Sequence, residues 1–198
     1  TTVSFAFDLF WLQQHPSIKL GFLCHNYEAR PKLRENFRTL YLSLPRTHKL
    51  PVSIDNRELM HFVNGSEILF YHISSKEASR KATSRSQSLT CIHATEAAFY
   101  DVSDPNNEVL KSLQISRAKH HPARYTIIET TANGFNSFYD HWQSAKNNPS
   151  EKTIFIGWWL RNDYRMYENN PLFDEYCYPP DREEKRMMKL VEKKYDYK

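Results

Sequence analysis

Two short polar strings, each following an apolar run of strand length, hold residue types suited to hydrolysis. The first is Leu89-Thr-Cys-Ile-His-Ala-Thr-Glu96-Ala-Ala-Phe-Tyr-Asp101. Its buried run ends at Thr95 and then Glu96. A carboxylate at a strand's carboxyl end can orient and deprotonate an attacking water. Glu96 equally suits the first turn of a helix, where the dipole favours an acid. The second string is Tyr125-Thr-Ile-Ile-Glu-Thr-Thr-Ala-Asn-Gly134-Phe-Asn-Ser-Phe-Tyr139. It ends in Thr130, Thr131 and Asn133, which can hydrogen-bond a terminal phosphate or a water without acting as a base. The same residues also make a helix cap after a glycine turn.

Other reactive residue types read as structural. His93 and the pair His120-His121 have no partners at metal-ligand spacing, so satisfied or exposed imidazoles are expected. Cys24, Cys91 and Cys177 are far apart and odd in number, without a C-x-x-C pair. They fit buried reduced thiols better than a disulfide framework or a zinc site. Phe135, Phe138, Tyr139 and Trp142 recur at helical spacing and read as core.

The elements that must carry the two strings alternate between helix and strand. Val3 to Gln13 is apolar on most sides, as in a helix buried against a sheet, and Pro16 ends it. Ile18 to Cys24 has strand length. Asn26 to Leu44 reads as a helix with Leu33, Phe37, Leu40, Tyr41 and Leu44 on one side, its start set near Pro31. Asn64-Gly65 between Leu59–Val63 and Glu67–Ile73 is a strong hairpin signal. Ser74 to Ser88 is a polar loop, Leu89 to His93 a strand and Val109 to Ser116 a short helix. Tyr125 to Glu129 is a strand, Gly134 to Lys146 a helix and Thr153 to Trp158 a further strand. Arg161 to Pro180 lacks a pattern, and Glu183 to Lys194 is a charged helix with a solvated face. Such alternation predicts an α/β fold with a mostly parallel sheet and helices on both faces. Chemistry in such sheets sits at the carboxyl ends of the strands.

The chain has 198 residues, 40% hydrophobic and 25% charged, with a net charge of +4. That is globular composition, and mild basicity is compatible with a nucleic-acid partner. No apolar run reaches the roughly 20 residues a bilayer span needs. Residues 1–12 lack a basic, cleavable signal sequence. A soluble intracellular protein is expected, with no membrane association.

Taken together, "strand–Thr-Glu-Ala-Ala-Phe-Tyr" and "strand–Glu-Thr-Thr-Ala-Asn-Gly–Phe-x-x-Phe-Tyr-x-x-Trp" closely resemble the ATPase domain of phage large terminases. The first string resembles that family's Walker B segment and the second its Thr-rich coupling motif. Ile154-Phe-Ile-Gly-Trp-Trp159 resembles the strand after the coupling helix. The resemblance runs from Thr1 to about Tyr167 and is specific chiefly in residues 89–159. It implies a three-layer, RecA-like P-loop NTPase fold of the ASCE type. Only four glycines occur, Gly21, Gly65, Gly134 and Gly157, and none stands in a phosphate-cradling G-x-x-x-x-G-K-[ST] loop. By the resemblance, Thr1 follows a Walker A Gly-Lys, so the chain is expected to be truncated just before it. Residues 1–180 would be a partial motor domain. Residues 181–198 would be a charged helix or linker toward a nuclease domain outside the chain.

The resemblance further implies that Glu96 polarises water for attack on the γ-phosphate of ATP. Thr1 would be the hydroxyl on Mg2+. Thr95 stands where many P-loop enzymes have a magnesium-associated Asp; it can hold a metal-bound water but adds no charge. Thr130, Thr131 and Asn133 would sense the γ-phosphate and pass hydrolysis on as movement. Arg85, or Arg80 in the same loop, would neutralise transition-state charge. Implied partners are double-stranded DNA, a portal protein, a small terminase subunit and further copies in a ring on the capsid, all in the host cytoplasm. The chain alone is expected not to hydrolyse ATP. Two rivals stay open: another RecA-like DNA ATPase such as a helicase, and a non-catalytic α/β binding module.

Overall fold

A computed structural model describes residues 1–73, 88–102, 114–115, 117–118, 120–157, 169–176 and 178–195. Arg80, Arg85 and Cys177, and most of the helix expected at Val109–Ser116, lie outside them. The chain divides into two compact units, Thr1–Lys152 and Thr153–Lys198.

The first unit is built on a six-stranded sheet. Its elements are α1 (Thr2–Gln14), β1 (Lys19–Cys24), α2 (Ala29–Ser43), a 3-10 turn (Arg46–His48), β2 (Val52–Asp55), β3 (Leu59–Phe62), β4 (Glu67–His72), β5 (Cys91–Thr95), a second 3-10 turn (Ala97–Val102), β6 (Tyr125–Glu129) and α3 (Ser137–Ala145). The strand order is β2-β3-β4-β1-β5-β6. β4, β1, β5 and β6 run parallel, whereas β2 and β3 are antiparallel additions at one edge. This is the mixed α/β, mostly parallel architecture that the alternating pattern predicts.

Period-two alternation sorts the strand residues onto two faces. Leu20, Phe22, Cys24, Ile68, Phe70 and Cys91 pack with Phe5, Leu9 and Leu12 of α1 and Phe37 and Tyr41 of α2. Leu23, Leu69, Ile92 and Ala94 face the other way, with Ala97 and Tyr100 after β5 and Phe138 of α3. The sheet is thus covered on both sides.

Several expectations need correction. α1 does not bury all of its apolar surface: Val3 is 84% exposed and Phe10 55%, because only the face carrying Phe5, Asp8, Leu9 and Leu12 meets the sheet. α2 begins at Ala29, with Pro31 inside its first turn, where a missing N–H costs no helical bond. The short edge strand β2 was not foreseen; three of its four residues are exposed, so it shows no burial pattern. Thr153–Trp158 does not form a strand over its described residues, 153–157. An extended apolar run becomes a strand only on a hydrogen-bonding ladder.

Gly65 adopts φ +82°, closing the turn that Asn64-Gly65 predicts. Asn64 Nδ2 also donates to the Leu12 carbonyl (2.9 Å), tying the hairpin to the end of α1.

The second unit holds α4 (Phe173–Tyr176) and α5 (Arg182–Tyr195). Asp181 caps α5. Its Oδ1 accepts from the Glu183 and Glu184 amides at 2.8 Å each, and Glu184 Oε2 accepts from the Asp181 amide at 2.9 Å. This is a reciprocal capping box. Residues 181–190 are all exposed, as expected for a solvated charged helix.

Candidate functional site

The carboxyl ends of β5 and β6 lie side by side, with Thr95 in register with Glu129. Beyond Thr95 the chain must turn at once, and Glu96 makes that turn with φ +56°. The left-handed region is costly for a side chain with a Cβ, about 1–3 kcal/mol, and such strain gathers at working sites. The Phe99 amide donates to the Glu96 carbonyl at 3.0 Å, fixing the turn.

The loop after β6 answers this one. Thr131 Oγ1 donates to Glu96 Oε2 at 3.3 Å. Thr130 Oγ1 accepts from the Ala98 amide at 3.2 Å and donates to the Thr131 carbonyl at 2.9 Å. The Ala98 carbonyl accepts from Asn133 Nδ2 at 3.1 Å and from Asn136 Nδ2 at 2.7 Å. Asn136 also caps α3, its Oδ1 accepting from the Tyr139 amide at 3.1 Å. Thr130 and Asn133 therefore bind the two loops to each other, and Thr131 alone of the three reaches the Glu96 carboxylate. Gly134, at φ +70°, lets the chain reverse into α3.

A second cluster lies on the face toward α1. Thr1 Oγ1, just before that helix, is 3.4 Å from Thr95 Oγ1. Thr95 Oγ1 donates to Glu129 Oε1 at 3.1 Å, and Ser4 Oγ donates to Glu129 Oε2 at 2.6 Å. His93 Nε2 stands 3.2 Å from Glu129 Oε1 as an ion pair, close but not aligned as a hydrogen bond. Its Nδ1 meets Asp8 Oδ2, and both side chains are fully buried. Tyr125 Oη donates to the other Asp8 oxygen at 2.6 Å.

Burial alone would discharge His93, but its partners Asp8 and Glu129 prevail and push its pKa up to about 9. Burial would raise Glu129, yet His93, with the Ser4 hydroxyl, holds it well below the usual carboxylate range. Burial, then the Asp8 charge, raises the Tyr125 phenol. The cluster is thus an imidazolium between two carboxylates. Cys24 and Cys91 are free and buried, as expected, and burial lifts their thiols to about 11 and about 12.

Sequence reasoning selected Thr1, Thr95, Glu96 and Thr131, which the structure gathers at these strand tips, and it passed over Asp8, Ser4 and Glu129. A signal for them existed. A histidine at the centre of a buried strand needs a polar partner, and Asp8 is the one charged residue of α1.

The oxygens of Thr1, Thr95 and Glu129 are hard donors of the kind Mg2+ takes. Among the described residues no three His, Cys, Asp or Glu side chains converge as a metal cage. An ion here would take its remaining ligands from phosphate and water, which is how Mg2+ is commonly held beside nucleotides. The residues present fit that group. Among the described residues, no helix is long and apolar enough to cross a membrane.

No protein-family model matches the chain, nor does any curated protein sequence. Among solved structures it is similar to the large terminase ATPase domain of Thermus phage P74-26. The two share 19% identity over 70% of this chain and 57% of that one, with a TM-score of 0.46. A single-substitution variant of the same domain gives 18% identity, 70% and 58% coverage, and a TM-score of 0.45. The chain spans less than two thirds of the length of the phage terminase ATPase domains it is similar to.

Proposed function

We propose that this chain is the ATPase portion of a large-terminase motor that packages double-stranded viral DNA, within a full-length protein that is also an endonuclease. One observation carries this reading: Glu96 and Thr131, at the tips of adjacent parallel strands, meet beside Thr95 and the start of α1. Glu96 is the general base that orients water toward the γ-phosphate of ATP. Thr131 holds that carboxylate and passes the loss of phosphate to the β6–α3 segment. The amino end of α1, with free N–H groups and a positive dipole, favours phosphate oxygens next to Thr1. Mg2+, when bound, neutralises phosphate charge, and Thr1 and Thr95 would hold it. Arg85 is kept as the candidate for countering transition-state charge.

Force on DNA would act through the phosphate backbone without sequence preference. A portal protein, a small terminase subunit and further copies in a ring would complete the machine in the host cytoplasm. Residues 1–180 would form the motor portion, and 181–198 a charged helix toward a nuclease domain.

The deciding experiment is Glu96→Gln in the full-length protein, followed by DNA-stimulated ATP turnover and nucleotide affinity. Turnover should fall by about 10²-fold or more, with nucleotide affinity retained. Unchanged turnover would favour a non-catalytic binding module, in which Thr130 and Asn133 serve only to join the two loops.

A further inference from the structure

We propose that Glu129 supplies, from the neighbouring strand, the carboxylate charge at the divalent-ion position that Thr95 leaves uncharged. The inference rests on the ATPase reading above and adds the residue that makes its ion site electrostatically complete.

Strand geometry brings Glu129 there. Tyr125, Ile127 and Glu129 share one face of β6, as Cys91, His93 and Thr95 share one face of β5. Because Thr95 pairs in register with Glu129, the hydroxyl and the carboxylate project side by side toward Thr1. Their contact is 3.1 Å, and the Thr1 hydroxyl is 3.4 Å from that of Thr95. A carboxylate on either of two adjacent strands would serve the same spot. With a hydroxyl on β5, the charge falls to β6.

Exposure places Glu129 to meet an ion. Its side chain is 23% exposed, whereas Asp8 and His93 are sealed. His93 Nε2, buried and without an aligned hydrogen bond, aims at the inner oxygen of Glu129 and leaves the outer one toward Ser4 and Thr1. Glu129 would bind the ion, and His93 would act as a positioning residue behind it.

The test uses Mn2+ as the probe, with free Mn2+ counted by electron paramagnetic resonance in the full-length protein with ADP. Glu129→Gln should weaken Mn2+ binding by about tenfold or more while metal-free ADP affinity holds. His93→Gln, which removes the pairing but keeps the carboxylate, should weaken it less. The double variant T95D/E129Q, which moves the carboxylate back to β5, should recover affinity relative to E129Q. Mn2+ binding by E129Q equal to the parent's overturns the proposal, as does equal weakening by H93Q, or a folded double variant that recovers nothing. Glu96→Gln separates the two levels: it should leave Mn2+ affinity unchanged and lower turnover about 10²-fold or more. Turnover unchanged in E96Q refutes the ATPase reading itself.

Discussion

Thr131 Oγ1 donates to Glu96 Oε2 across 3.3 Å, joining the loop after β6 to the carboxylate after β5. The bond is exposed, so its value lies in aiming Glu96 more than in holding the fold. Thr131→Val should lower the turnover number about tenfold and leave nucleotide KM near its parent value, the pattern of an interaction felt in the transition state. Thr131→Ser should restore most of the rate. Steady-state kinetics on both variants decides this, and a rise in KM alone would count against it.

Asp8 and His93 form a fully buried ion pair, which Tyr125 Oη joins from the edge strand. Removing one partner strands the other charge in the core. Asp8→Ala should therefore cost about 3–5 kcal/mol of stability, measured by urea unfolding. Tyr125→Phe removes one hydrogen bond to a charged group, and should cost about 1.5–3 kcal/mol.

Stability should also depend on pH in a definite direction. His93 titrates at about 9 in the folded state, against an ordinary 6.5. A raised pKa gives stability that is complete below 6.5 and is lost as pH climbs through about 9. Glu129 is depressed, so its contribution is present above its ordinary 4.5 and disappears as pH falls through the lowered folded value. Both contributions are therefore complete between 4.5 and 6.5. Urea midpoints with divalent ions chelated should decline above this window, and His93→Gln should flatten that decline.

Packing on the opposite face is tight at Gly21. A Cβ there would lie 2.7 Å from Leu89 Cδ1, a side chain that is itself buried. Gly21→Ala should cost about 1–3 kcal/mol by overpacking. In the double variant G21A/L89A the two costs should fall short of their sum, since Leu89→Ala vacates the contested space. A double-mutant cycle by chemical denaturation measures the coupling.

Elements with strong local signals were legible before the structure. β6 has the bounds its apolar run predicts, and Asn64-Gly65 closes the expected turn. Glu96 and Thr131 were readable because each lies within two residues of a strand's end, and parallel strands put such ends together. The Asp8–His93–Glu129 cluster was not legible as a unit, since its members come from three segments joined only by folding. Strand registers decide that Glu129 meets Thr95, and one sequence does not display them. Residues 153–157 show the converse, since their composition suits a strand but a strand also needs a pairing partner.

Within the described sheet β6 has a neighbour on one side only, and all five of its residues are half-buried, whereas β5 is buried throughout. The strand tips that meet at the site thus stand on footings of unequal stiffness. Amides of β5 should exchange with solvent far more slowly than those of β6. A nucleotide arriving there would find Glu96 on the firm support, while Glu129 and Thr131 ride the yielding one. Under the ATPase reading proposed above, displacement during turnover would accordingly begin at the outer strand.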